Sequence, residues 1–371
     1  MDEQKLCRVF DQAKPSSEQK EAMLTRLLQT ERKGKPMKKL KKLTVIGIAA
    51  ALMIVTCAAA VVTGLDQRIL DYFGAGPEQA ELLLPGAMAV DVAAEDNGAV
   101  FHVTQVLRDR YSIAAAADFT APEGTSLDVN GPIYSFGGIG HIQFLSEVGT
   151  PVEVSSYRWK WYSLDDGDPE DNHLSILFYL SIPEGLDRRV CSLVLPAEEL
   201  MDFDWTTSDN HTPDRFLEVP LPQADIGCTQ QFDQRVGELD GSAIRLKEVY
   251  LSPITMMVTL ERETAISADL PLEERAQRWM RWAFALDGEH FAATNGYEPA
   301  IDRAILTDRD GNEIPMECLD GSAGMVNLKQ YHYLFRLTQA TDVSRLQGGK
   351  LTLRVGDGNV DIPLDNLVPA E

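Results

Sequence analysis

The chain predicts a mainly β protein with one membrane-spanning α-helix near its N-terminus. Three observations point there. Leu43 to Leu65 runs 23 residues without a charged side chain. From about Met88 onward, short apolar runs alternate with Gly, Asp, Asn and Pro clusters, the pattern of strands and turns. The second half of that β region repeats the first at an offset of 143 residues.

At about 1.5 Å per residue, a helix over Leu43–Leu65 spans roughly 34 Å, enough for a hydrocarbon core of about 30 Å. In lipid the backbone must satisfy its own hydrogen bonds, so a helix is the expected form. A buried helix of a soluble protein would rarely run 23 residues with no polar face. A start at Met37 would turn MKKLKK into the n-region of a secretory signal, with Cys57 as a candidate lipid-bearing residue. Thr56 stands where a smaller residue is usual and apolar residues continue past Cys57, so a retained anchor is the favoured reading. Residues 1–42 hold 12 basic and 6 acidic side chains, leaving 22 and 51 beyond. The positive-inside rule then places the N-terminus in the cytoplasm and residues 66–371 outside the cell membrane. Arg32 to Lys42 also suits anionic lipid. Its place against the membrane argues against nucleic acid as a partner.

Along the chain, residues 1–42 read as a cytoplasmic helical segment and basic linker. Leu6, Val9 and Phe10 form one apolar stripe; Met23, Leu24, Leu27 and Leu28 form another, after a break at Pro15 and a capping box at Ser16 and Gln19. Thirty residues bury little core alone, so these faces either lie on the membrane surface, pack in a helical hairpin, or dock on a partner. Residues 66–87 read as a connector: a short helix over Asp66–Phe73 stopped by Gly74 and Gly76, then the connecting stretch Gly74–Gly86. Strands are expected at Ala99–Leu107, Ser112–Phe119, Leu174–Ile182, Val190–Leu195, Ala243–Leu251, Thr255–Glu261, Tyr331–Thr338 and Lys350–Val355, with a helix over Pro271–Leu286.

The repeat pairs Phe101, Val103 and Val106 with Ile244, Leu246 and Val249, and Ser112–Ala116 with Thr255–Thr259. Further along, Leu145-Ser146 matches Leu306-Thr307, Phe178 matches Phe335, and Val219-Pro220-Leu221 matches Ile362-Pro363-Leu364. This ordered series predicts two tandem β-sandwich domains, 88–223 and 226–369, of immunoglobulin-like topology. The Cys-Trp-Cys signature of antibody domains is absent.

The sequence carries no catalytic constellation. Its six histidines are scattered, and no HExxH, GxSxG or GxxxxGK[ST] occurs. No CxxC pair occurs among the five cysteines; Cys191 reads as a buried strand thiol, and an external disulfide is an open alternative. The acidic run Asp165–Asn172 does not fit an EF-hand and reads as a solvated loop. Asp308–Asn312 reads as a hairpin turn. Tyr157, Trp159 and Trp161 share one strand face and read as core. The chain is therefore expected not to be an enzyme and to need no cofactor or metal.

Lys38–Leu65, the strand Ala99–Leu107 with Tyr111–Phe119 behind it, and Ile244–Leu260 around Leu251-Ser252-Pro253 resemble the DUF4179-type membrane proteins of Gram-positive bacteria. The resemblance implies a membrane-bound regulator of the anti-sigma-factor kind, with Leu6–Leu28 where a sigma factor would bind. The HxxxCxxC zinc pattern of many anti-sigma domains is missing, so no zinc is implied. The alternative function is a surface adhesion or ligand-binding protein with an inert tail. In either case the extracytoplasmic ligand or partner is unspecified.

Overall fold

The computed structural model describes residues 64–125, 127, 142–154, 157–164, 171–197, 216–267, 269–283, 303–323, 329–355 and 358–370. Residues 1–42 and the predicted span up to Thr63 lie outside them. Among the described residues no helix is long and apolar enough to cross a membrane.

The region read as a connector is a packed element. Gly64 turns the chain with φ 72° and Leu65 is buried, so the last two residues of the predicted span belong to the folded part. The Asp66 carboxylate caps helix α1 (Gln67–Tyr72), accepting from the Arg68 amide at 2.9 Å. Gly74 ends the turn at φ 54°, pressed so close to the Thr338 carbonyl that a Cβ would collide. The stretch Gly74–Gly86, read only as a connector, holds a second helix, α2 (Pro77–Leu83), and a 3-10 turn at Leu84–Gly86. Gly76-Pro77 are a breaker pair in isolation. In place, Pro77 opens the helix where its missing N–H is harmless, and Ala80 and Leu83 face inward.

Eight strands follow: β1 (Ala87–Asp96), β2 (Ala99–Arg108), β3 (Ser112–Thr120), β4 (Gln143–Ser146), β5 (Arg158–Leu164), β6 (His173–Ser181), β7 (Val190–Pro196) and β8 (Phe216–Pro220). They form antiparallel sheets of order β1-β2-β3-β6-β5 and β4-β7-β8. One apolar core takes Phe101, Ile113 and Phe178 from the first sheet and Phe144, Leu193 and Val219 from the second. Tyr157, Trp159 and Trp161 pack against it, Trp161 meeting Phe101 edge-on at 5.7 Å. Cys191 is only half-buried, not the core thiol its alternation suggested. The β4–β7 pairing slips between Leu145 and Ser146, which face Ser192 and Val190, and turns Cys191 outward.

The second region holds β9 (Cys228–Leu239), β10 (Ser242–Leu251), β11 (Thr255–Arg262), α3 (Leu272–Ala283), β12 (Arg303–Thr307), β13 (Glu313–Ile314), β14 (Met316–Ala323), β15 (Gln330–Leu337), the single turn α4 (Val343–Leu346), β16 (Gly349–Val355), β17 (Gly358–Leu364) and β18 (Val368–Pro369). Its sheets run β14-β15-β11-β10-β9-β18 and β13-β12-β16-β17 around a second core. Asp308–Asn312 makes the expected turn between β12 and β13, the Asp308 carboxylate accepting from the amides of Asp310 and Asn312. Cys191, Cys228 and Cys318 lie on β7, β9 and β14 with no disulfide among them.

The two cores are lined at fixed separations. Phe101, Val103, Val106, Ile113, Ala115 and Ala117 in one stand 143 residues before Ile244, Leu246, Val249, Met256, Val258 and Leu260 in the other. A bulge interrupts the β2–β3 pairing between Val103 and Gln105, and the β10–β11 pairing between Leu246 and Glu248, the same places by that count. The expected match of Phe178 with Phe335 is displaced by two. Phe178 lies opposite Ala115 and Tyr333 opposite Val258, so Tyr333 is the counterpart. Likewise Phe144 faces Leu193 as Leu306 faces Leu351, one residue off the expected pairing.

Candidate functional site

A buried polar cluster forms where the turns of two hairpins meet. In the β2–β3 turn, Oδ1 of Asp109 accepts from the amides of Tyr111 (2.8 Å) and Ser112 (2.7 Å) and from the Ser112 hydroxyl (2.9 Å). In the β10–β11 turn the Ser252 hydroxyl takes the same part, accepting from the amides of Ile254 and Thr255. Asp and Ser both suit such turns, because a short side chain can mimic the backbone acceptor. The two turns then touch. Ser252 donates to Oδ2 of Asp109 at 2.6 Å, and Ser112 and Thr255 share a hydrogen bond at 3.1 Å. All four side chains are buried. Burial pushes the Asp109 carboxyl above its ordinary value, against the pull of the Ser252, Thr255 and Tyr111 hydrogen bonds.

Around this centre, Asp225 in the linker between the two β regions accepts from Tyr250 OH (2.7 Å), Arg110 Nε (3.0 Å) and the Gly227 amide (3.0 Å). Gly227 lies flat on the Tyr250 ring, with no room for a Cβ. Tyr111 meets Tyr250 edge-on at 4.8 Å and donates to Glu248. Burial raises the proton affinity of Tyr250, with Asp109 and Asp225 adding to it. Arg108 is 5% exposed, and its Nη1 donates to the carbonyls of Val190 (2.8 Å) and Pro222 (3.1 Å). Burial lowers its proton affinity, partly offset by Asp225 and Asp109. A cleft of about 240 Å³ opens here, lined by Arg108, Arg110 and Arg188 with Asp109, Leu186 and Asp225 among others.

The connector closes the junction from the other side. Leu65, Ile69, Phe73 and Leu83 share one apolar cluster with Leu107, Ala114 and Tyr179 of the first region and Ile254 and Ala340 of the second. The Ala340 amide donates to the Phe73 carbonyl at 2.7 Å. Arg68 reaches Asp118 at 2.7 Å and Asp66 at 2.8 Å, and pins α1 to β3.

The residues expected to bind a cytoplasmic partner, Leu6, Val9, Phe10, Met23, Leu24, Leu27 and Leu28, all lie outside the described residues. So does most of the acidic run, Asp165–Glu170. Among the described residues no three of His, Cys, Asp and Glu are grouped to hold a metal. The junction itself left a signal in the sequence that went unread. Asp109-x-x-Ser112 and Ser252-x-x-Thr255 are both side-chain-capped turns, and they sit at the repeat offset.

No family model matches the chain. No curated protein matches it. Among solved structures it is similar to a conserved domain protein from Bacillus anthracis, with TM-score 0.39 and 11% identity over 73% of this chain and 80% of that one. A likeness at that level carries no argument.

Proposed function

We propose that the chain is a single-pass membrane regulator of the anti-sigma-factor kind implied by the DUF4179 resemblance. Residues 1–42 bind a cytoplasmic sigma factor through Leu6–Leu28, and two immunoglobulin-like sandwiches sense outside. The observation that carries the reading is the connector. The residues that follow the predicted span are wedged between both β regions, so a shift of either region moves the base of the span directly. A passive surface anchor has no need of such a joint.

The immunoglobulin-like part rests on strand order. With β2, β3, β4, β5, β6, β7 and β8 lettered A to G, the sheets read A-B-E-D and C-F-G, the constant-type arrangement. With β10, β11, β12, β14, β15, β16 and β17 lettered the same way, the order recurs, and β1, β9, β13 and β18 are additions at the edges.

The test is capture of a sigma factor by the full chain from membranes, compared with Leu24→Asp and Leu27→Asp. The expected result is a salt-resistant complex that both substitutions abolish, since an apolar helix seated in a groove tolerates no charge at its anchors. No sigma factor recovered, with residues 1–42 bound only to anionic vesicles in a salt-sensitive way, would overturn the regulatory reading.

A further inference from the structure

We propose that the junction cleft binds a small oxyanion, a carboxylate or phosphate group. The charges around it do not balance internally. Asp225 is taken up by Arg110, Tyr250 and Gly227, and Asp109 by Ser112, Ser252 and the turn amides. Arg108 and Arg188 are left over. Both hydrogen bonds of Arg108 come from Nη1 and end on carbonyls, so the three N–H groups on Nε and Nη2 make none among the described residues. No carboxylate among those residues lies within ion-pair distance of it either. Burying this guanidinium is costly and the charges of Asp225 and Asp109 offset that only in part, so a ligand oxyanion paired directly with its unused N–H groups would add the missing counter-charge. The planar fork of arginine matches carboxylate and phosphate oxygens in pairs.

The second cation, Arg188, is exposed at the rim, placed to meet an entering anion. At about 240 Å³ the cleft falls below the roughly 300–1,000 Å³ of sites for drug-sized ligands. It suits a small anion or the charged end of a larger molecule. Its walls come from the β2–β3 turn, the loop before β7, the linker and Ala370 beside β18, so an anion seated there ties these four segments together. The inference does not depend on membrane anchoring or on a sigma factor.

The probes are inorganic phosphate and acetate, titrated calorimetrically into the full chain and into Glu371→Ala, which removes the side-chain carboxyl next to Ala370. Saturable binding of at least one probe is expected; which one binds separates the phosphate source from the carboxylate source. Arg188→Glu should weaken it by about tenfold or more, and Arg108→Gln should abolish it. Arg189→Glu alters the net charge equally but lies on a residue paired to Asp187 and off the cleft, and it should leave binding unchanged. Arg188 and Arg189 are both exposed, so this comparison decides the matter even where Arg108→Gln fails to fold. Absence of saturable binding of both probes to both chains, or equal weakening by Arg188→Glu and Arg189→Glu, overturns the proposal.

Discussion

At the residue scale two carboxylates respond to pH in opposite senses. Burial alone would raise the Asp118 carboxyl, but hydrogen bonds and charge from His173 and Arg68 hold it below its ordinary value. Its folded value is lower than its unfolded one. Its contribution is therefore complete above the ordinary carboxylate range of about 4 and is lost as pH falls through the folded value. Asp118→Asn should flatten the acid limb of a stability-versus-pH curve, measured by urea unfolding. Asp109 is the reverse case. Its folded value is raised, so its contribution is complete below that range and declines as pH rises through the higher folded value. Ser252→Ala removes one hydrogen-bond partner from this buried carboxyl group and should cost about 1–3 kcal/mol, read by urea unfolding. Phe178→Ala and Tyr333→Ala should each cost about 3–5 kcal/mol, because each fills the core opposite the matching residue of its hairpin.

At the element scale eight strands and helix α1 were legible, while β1, β9 and α2 were not. β2, β3, β6, β10, β11 and β15 were each expected within a residue or so of their ends, because their inward faces are apolar at every second position between turn residues. α2 was missed because Gly76-Pro77 and Leu84-Pro85-Gly86 read as breakers at both ends of a seven-residue helix. What holds so short a helix is tertiary burial, which no local pattern records. The paired turns stayed hidden for a similar reason: Asp109 and Ser252 look like ordinary turn residues until the fold brings them together. Phe73→Ala should therefore act at a distance. It empties a cavity shared by α1, the first β region and Ile254, and hydrogen exchange should quicken at the amides of Leu337 and Ala340 as well as in α1. Exchange confined to α1 would show the connector to be a passive passenger.

At the scale of the whole molecule, the two β regions share the connector's apolar cluster, a second cluster at Tyr111, Tyr250, Met257 and Leu334, and a buried polar centre. They should unfold as one cooperative unit, with calorimetric and van't Hoff enthalpies equal; two resolved transitions would contradict this. Under the two-copy reading, the touching turns carry a further meaning. Asp109 and Ser252, and Ser112 and Thr255, each stand 143 residues apart, so like positions of the repeat meet across the junction. An aspartate at both positions would set two carboxyl groups against each other, whereas Ser252 supplies Asp109 with a hydroxyl donor. Ser252→Asp would force two carboxyl groups into one dry site, and it should open the junction far more than Ser252→Ala does.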